Sequence, residues 1–385
     1  MKSFIYVIIF FSFFDLFTQL PVMSTYAESL GASAFVTGLA VGMYSLSNTF
    51  GNIISGFLTD RKGPFLILVI GLLTTGISLS LYNLVEEPMF LLFVRFIHGL
   101  VAGFIVPAAF TFLANATKQE RRGKGSAISG AFVGIAAIIG PAFSGILASR
   151  TSVPFVFNVT ASFMLILGVL AFFLLKSPSV KKEINASSKQ VPIRVFFTNA
   201  GTLKAFSGAF FLMFSQGVIA YLLPLKVQAL GFDSRLSGML LSAFGVVAVL
   251  VFILPTNRIF DRVAPVKTLA LGIGLMGFSQ ILISQADTST LLYLAMICYG
   301  FGFGFLFPSI NSLLIDSTTV EIRGKAYGYF YAFFSLGVVL GSSLLGWLSL
   351  DTTSGFIFTG IVLLCFASIT IIPSKKKIPS NLRNS

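Results

Sequence analysis

Apolar stretches separated by Gly, Pro or charged residues recur along the chain at about 3 to 25, 34 to 58, 65 to 84, 89 to 115, 124 to 148 and 153 to 175. A polar stretch from Lys176 to about Thr202 interrupts them. Six more follow at about 203 to 225, 235 to 257, 266 to 284, 290 to 314, 326 to 349 and 354 to 373. About 20 apolar residues suffice for a helix to cross a bilayer. The pattern therefore predicts an all-α integral membrane protein with twelve transmembrane helices in two six-helix bundles. The expected parts are an N-terminal bundle over 1–175, a linker over 176–202, a second bundle over 203–373 and a tail over 374–385. The opening run after Lys2 is too long for a signal peptide and lacks an Ala-x-Ala cleavage pattern, so it reads as a retained first span.

Composition excludes the soluble alternative. Of 385 residues, 56% are hydrophobic and only 10% charged, where soluble domains carry about a quarter; the mean hydropathy is +0.94. The net charge of +13 would suggest nucleic acid in a soluble protein, but here its placement excludes that partner. Of the 26 basic residues, 22 lie at the ends and in alternate loops, including Arg61, Lys62, Arg122, Arg262 and Arg323. The opposite loops hold Arg150, Lys226 and Arg235 beside six acidic residues. By the positive-inside rule both termini are expected to be cytoplasmic. The basic stretch from Lys181 to Arg194 is expected to lie near anionic lipid. Cys298 and Cys365 sit in apolar runs and read as packing residues, with no disulfide framework or metal site.

Sliding the chain on itself by 201 residues exposes a repeat. Asp60, Arg61 and Pro64 fall on Asp261, Arg262 and Pro265; Gly99, Gly103 and Pro107 fall on Gly300, Gly304 and Pro308; Arg122, Gly123 and Lys124 fall on Arg323, Gly324 and Lys325. The halves are parallel duplicates, an arrangement expected to enclose a substrate site at their interface and to alternate its access by rocking.

The loop after the second span reads Gly56, Leu58, Asp60, Arg61, Gly63. It resembles the signature loop of the major facilitator superfamily, and the resemblance covers essentially the whole chain. It implies a cytoplasmic gate built on Gly56, Asp60, Arg61, Gly63 and Arg122 and on their copies Asp261, Arg262 and Arg323. Asp60 would face the positive end of a helix from the other half. A tight turn whose charges only set topology is the alternative.

Arg95, His98, Gly99 and Gly103 in the fourth span resemble the arginine-centred motif of proton-coupled members, with histidine where glutamine is common. Arg95 lies about 10 Å below the outer boundary at 1.5 Å per residue. Asp15, the one acidic residue well inside a span, lies about 12 Å from the same boundary of a ~30 Å core. Ionisable groups at such depth are costly and default to functional readings. An Asp15–Arg95 pair is therefore expected to couple protons to transport, with a fixed structural staple as the alternative. His98, one turn from Arg95 and the only histidine, either relays protons or packs as a neutral residue.

In the fifth span, Gly140, Pro141 and Gly145 resemble the superfamily's antiporter motif, although Ala136 and Ser144 replace two of its glycines. The resemblance implies export. It also implies a cavity lined by the first, fourth, seventh and tenth spans, making Phe14, Gln19, Gln216, Tyr221 and Asn311 candidates for substrate contact, or else for lipid contact or interhelical bonding. Asn158 and Gln280 read as interhelical bonding residues. No phosphate-binding loop or second histidine supports a nucleotide-driven pump or an enzyme.

The expected protein is thus a proton-coupled antiporter of the cell membrane, bacterial inner or plasma membrane, acting as a monomer without metal or cofactor. It would export small amphipathic compounds or drugs, most like the twelve-helix drug:proton antiporters. A dedicated exporter of one endogenous metabolite, metallophore, sugar or lipid intermediate is one alternative; a nutrient importer or symporter is another.

Overall fold

The computed structural model describes residues 2–115, 122–175, 194–254 and 263–371. In the first half, α1 (Lys2–Thr18) and α2 (Met23–Ser29) form one span bent by 46° at a four-residue break. They are followed by α3 (Ala34–Lys62), α4 (Pro64–Ser80) with a 3-10 turn over Leu81–Leu84, α5 (Pro88–Ala102) and its continuation α6 (Ile105–Asn115), α7 (Arg122–Arg150) and α8 (Val153–Leu174). The short α9 (Arg194–Thr198) leads into the second half: α10 (Ala200–Ala229), α11 (Ser234–Ile253), α12 (Pro265–Ser284), α13 (Ser289–Asp316), α14 (Val320–Trp347) and α15 (Thr352–Ile371).

Ten helical segments among the described residues are long and apolar enough to cross a membrane, and the bent α1–α2 pair makes an eleventh. The twelfth element is α3. At 29 residues it is long enough, but Thr37, Ser45, Ser47, Asn48, Thr49 and Asn52 lower its hydropathy. Polar residues of α3 bond the fourth span or its break, Asn48 donating to Gly99 O and, further along, Ser55 to Phe104 O.

Helix ends follow local chemistry. Ser33, Ser152, Asp233, Thr288 and Asp351 each accept hydrogen bonds from the first backbone amides of the helix they precede, satisfying donors that have no intrahelical partner. The Ser354 hydroxyl, with the amides of Ser354 and Thr353, holds the Asp351 carboxyl below the ordinary carboxylate range. Gly63, at φ 84°, forms the whole connection between α3 and α4, with Pro64 opening the next helix. That backbone region is one L side chains rarely adopt.

The repeat is visible in the packing. α3 packs on α5 as α11 packs on α13, α4 on α8 as α12 on α15, and α1 on α7 as α10 on α14. Two further contacts, α3 with α14 and α7 with α11, join the halves and are copies of each other. Small residues let these helices approach: a β-carbon at Gly38 would meet the Ser342 backbone, at Gly238 the Pro141 backbone, at Gly346 Ala34 and at Gly145 Ser234. Hydrogen bonds stitch the seams, with Ser234 Oγ donating to Gly145 O (3.0 Å), Ser242 Oγ to Ile138 O (2.6 Å), Tyr221 Oη to Ala34 O (3.3 Å) and Thr49 Oγ1 to Ser335 Oγ (2.6 Å).

Apart from Thr49–Ser335, midway along α3, these contacts lie toward the end of the bundle opposite Arg61 and Lys62. Toward the basic end the same helix faces part. Gly56 lies five turns along α3 from Gly38 and on the same face, yet nothing stands within 4 Å of a β-carbon there, or at Gly130 on α7 or Gly328 on α14. Among the described residues the halves are joined at one end and stand apart at the other.

Candidate functional site

The break in the first span builds the site. Where α1 stops at Thr18, the carbonyl of Asp15 takes side-chain donors instead, from Thr18 Oγ1 (2.8 Å) and Gln19 Nε2 (2.9 Å). The Asp15 side chain is 1% exposed. Its Oδ2 lies 3.1 Å from His98 Nε2 on α5 and accepts from the Tyr44 hydroxyl of α3 at 3.4 Å; Oδ1 accepts from Gln19 Nε2 at 3.3 Å. On the far side of the imidazole, His98 Nδ1 meets the Tyr82 hydroxyl at 3.2 Å. Because a carboxylate can only accept, this network places a proton on Nε2 when Asp15 is ionised and leaves Nδ1 to accept from Tyr82. Tyr82 is in turn fixed from behind, its backbone carbonyl accepting from the Tyr26 hydroxyl of α2.

Arg95 is also buried, at 3% exposure, but the expected direct pair with Asp15 does not form. Its guanidinium donates to Ala40 O (2.8 Å), to Val41 O (3.1 Å) and to Gln19 Oε1, and stands 5.3 Å from the Tyr44 ring centroid. Gln19, one turn beyond Asp15, occupies the space between them and bonds to both. The ionisable partner that Asp15 meets directly is His98. Depth alone carries no information about which side of the helix each group faces.

The second half holds a neutral counterpart. The 201-residue offset carries Asp15 onto Gln216 and His98 onto Tyr299, and the Tyr299 hydroxyl donates to Gln216 Oε1 at 3.1 Å. Ser215 Oγ lies 3.0 Å from the same hydroxyl and accepts from Gln280 Nε2 at 2.6 Å. One geometry thus occurs twice, as carboxylate with imidazole in one half and as amide with phenol in the other.

The other sequence candidates are distributed as follows. Phe14 is buried among Phe10, Phe11, Phe143 and Phe163. Gln19 is buried in the Asp15–Arg95 bridge, and Tyr221 is buried with its hydroxyl spent on the seam; neither presents a free polar group to a ligand. Gln216 and Asn311 are partly exposed, Asn311 donating to Phe307 O and accepting from Tyr327. Gly140 meets α1 at Phe14 and Phe17, while Pro141 and Gly145 meet α11. At the basic end, Gly56 faces open space and Arg61 is exposed. Arg323 donates to Ile315 O and Thr318 O at the end of α13, where a cation suits the helix dipole. The side chains of Asp60 and Arg122, and all of Asp261 and Arg262, lie outside the described residues, as does most of the linker. Asn158 exchanges hydrogen bonds with Asn83, joining α8 to the turn after α4. Tyr44, Tyr82, Tyr299 and Ser215 carry site contacts that the sequence reading missed.

The family profile described as Major Facilitator Superfamily matches residues 5–206 and 205–384. The chain belongs to that superfamily. It is a multi-pass membrane transporter and not an enzyme. Among curated superfamily proteins it is 27% identical over 334 residues to the multi-drug resistance efflux pump PmrA of Streptococcus pneumoniae, covering 83% of this chain and 82% of that one. It is 28% identical over 342 residues to the multidrug resistance protein MdtG of Salmonella typhimurium, covering 84% and 82%. An MFS-type transporter of Methanocaldococcus jannaschii is 23% identical over 344 residues, 86% of each chain. In fold, the chain is similar to the nucleoside transporter NupG (TM-score 0.81, 17% identity, 97% and 99% covered). It is likewise similar to a bacterial homologue of the lysosomal transporter Spinster in an inward-facing conformation (TM-score 0.79, 13% identity, 96% and 95% covered).

Proposed function

We propose that this superfamily transporter exports small amphipathic compounds from the cytoplasm in exchange for protons, and that the proton is carried by the Asp15–His98 pair. The observation that carries the reading is the buried 3.1 Å contact of a carboxylate with an imidazole beside a break in the first span. Two groups that each gain or lose a proton share one position shielded from water, so the pair takes up or releases charge as its hydration changes. Arg95 is joined to the carboxylate through Gln19, without direct contact. The kinship with PmrA and MdtG, both named for multidrug resistance, supports export and a broad substrate range. With the basic loops on the cytoplasmic side, the open end faces the cytoplasm and both termini lie there, and a substrate enters from that side while the outer seams are shut. The protein acts as a monomer in the cell membrane.

The test uses inside-out vesicles energised with an acidic interior. Wild-type protein is expected to accumulate lipophilic neutral and weakly cationic dyes only while the gradient lasts. Asp15→Asn is expected to bind the dyes but not to accumulate them. Equal accumulation by both proteins would reduce Asp15 to a structural residue; no accumulation by the intact wild type would sink the exporter reading. A single accepted compound out of a broad panel would instead point to a dedicated exporter.

A further inference from the structure

Gln216 is the one partly exposed residue in a long buried stretch of α10: its neighbours from Leu212 to Ser215 and from Gly217 to Pro224 are buried. The outward side of α10 is marked by Leu203, 41% exposed, and Ser207. At about 100° per residue Gln216 lies on the other side, toward the opening between the halves. Phe303 and Phe307 follow its partner Tyr299 by one and two turns along α13: they are partly exposed, stacked with centroids 6.0 Å apart, and on the side away from the outward-facing Leu294 and Phe301. Phe244 closes the group, 5.3 Å from both Tyr299 and Phe303.

The hydrogen-bond chain behind Gln216 has a fixed direction. Gln280 Nε2 donates to the backbone carbonyl of Ser215 at 3.4 Å as well as to its hydroxyl at 2.6 Å. A carbonyl can only accept, so the reversed amide would set oxygen against oxygen. The Ser215 hydroxyl therefore accepts from Gln280. Its own proton has the Tyr299 oxygen as its buried partner, and an unpaired buried hydroxyl proton is costly. Tyr299 then donates to Gln216 Oε1. The consequence is that Gln216 turns its NH2, two donors and no acceptor, toward the opening.

We infer that Gln216, with the stacked Phe303 and Phe307 one and two turns along α13 from its partner Tyr299, anchors a ligand subsite that takes neutral aromatic molecules bearing a hydrogen-bond acceptor, with Tyr299, Ser215 and Gln280 as positioning residues. This rests on the reading that amphipathic compounds enter between the halves, and it narrows their class. A lipophilic cation without an acceptor gains nothing from two N–H groups and meets no anionic partner there. The carboxylate of Asp15 is buried and fully occupied by His98, Tyr44 and Gln19. The same relay in the first half ends in a charge, and in the second half in an oriented dipole.

Two probes of nearly the same shape separate these cases: triphenylphosphine oxide, neutral with a strong acceptor, and methyltriphenylphosphonium, cationic with none. Equilibrium dialysis against purified full-length protein in detergent, with empty micelles as control and no proton gradient, gives both affinities. The oxide is expected to bind wild-type protein about tenfold tighter, the scale of one buried hydrogen bond. Gln216→Leu is expected to weaken the oxide about tenfold and leave the phosphonium unchanged, and Gln216→Glu to reverse the order. Tyr299→Phe, which frees the Gln216 amide to turn, is expected to bring the two affinities within about threefold while both probes still bind. Tighter binding of the phosphonium by the wild type, binding of neither probe, or equal weakening of both by Gln216→Leu would overturn the inference. The wild-type comparison stands even where a variant fails to fold. Because no gradient is applied, a failure here leaves proton-driven export standing, and a failure of the vesicle assay leaves the subsite standing.

Discussion

The imidazole of His98 and the carboxylate of Asp15 meet at 3.1 Å with 0% and 1% exposure, and the residues 201 positions further on, Tyr299 and Gln216, meet at the same 3.1 Å. The duplicated fold has kept a side-chain contact between its first and fourth spans while changing the chemistry of both partners. Charge is confined to one copy.

That confinement makes the first pair energetically coupled. His98→Phe leaves the Asp15 carboxylate buried with hydroxyl and amide donors alone, a loss of about 1 to 3 kcal/mol. Asp15→Asn removes the need for the imidazole. Thermal unfolding of the two single variants and the double variant is expected to yield a coupling of about 0.5 to 3 kcal/mol, with the double variant more stable than the sum of the singles. Strict additivity would show that the contact carries no energy.

The seam between α3 and α14 is testable by a covalent lock. Thr49 Oγ1 and Ser335 Oγ are 2.6 Å apart, so Thr49→Cys with Ser335→Cys is expected to form a disulfide under mild oxidation. Because the link sits midway along α3, the halves can still rock about it and transport should persist on oxidation, whereas a seam that must separate there would stop transport until reduction. Either single cysteine should transport normally throughout.

Gly63 at φ 84° makes the one-residue turn between α3 and α4 possible. Gly63→Ala is expected to cost about 1 to 2 kcal/mol, read as a lowered Tm in detergent. An unchanged Tm would mean that the turn relaxes freely.

Lys226 is 6% exposed and donates to Ser284 O at 3.2 Å, capping the end of α12 as Tyr26 caps the turn after α4. Lys226→Met keeps the apolar stem and removes the charged donor. A stability loss of about 1.5 to 3 kcal/mol with unchanged gradient dependence of transport is expected; altered proton coupling at unchanged stability would assign Lys226 a different role.

Most of the architecture was legible in the sequence because lipid imposes it: backbone groups must be satisfied within each span, so long apolar runs become helices. The repeat implied two halves of one architecture. The break after Thr18 sits inside an apolar run and is marked only by Pro21, whose ring removes a backbone donor and disfavours helix in the residue before it. Depth brings Arg95 and Asp15 together in the sequence, but two groups at one depth still need to face each other, and Gln19 fills the gap. The tyrosines were missed because amphipathic rings give no periodic signal. Yet the offset that pairs Gly99 with Gly300 also pairs Asp15 with Gln216 and His98 with Tyr299, and pursuing it would have singled out Tyr299 from the sequence.

The Thr49–Ser335 bond also sets the mechanics of the gate. It lies about 22 Å along α3 from Ala34 and about 20 Å from Lys62 at 1.5 Å per residue, which makes it a fulcrum with arms of nearly equal length. A lever of that kind neither amplifies nor reduces displacement. Whatever width the halves lose at one mouth they gain at the other, so a molecule small enough to enter through the basic end meets an exit of the same bore.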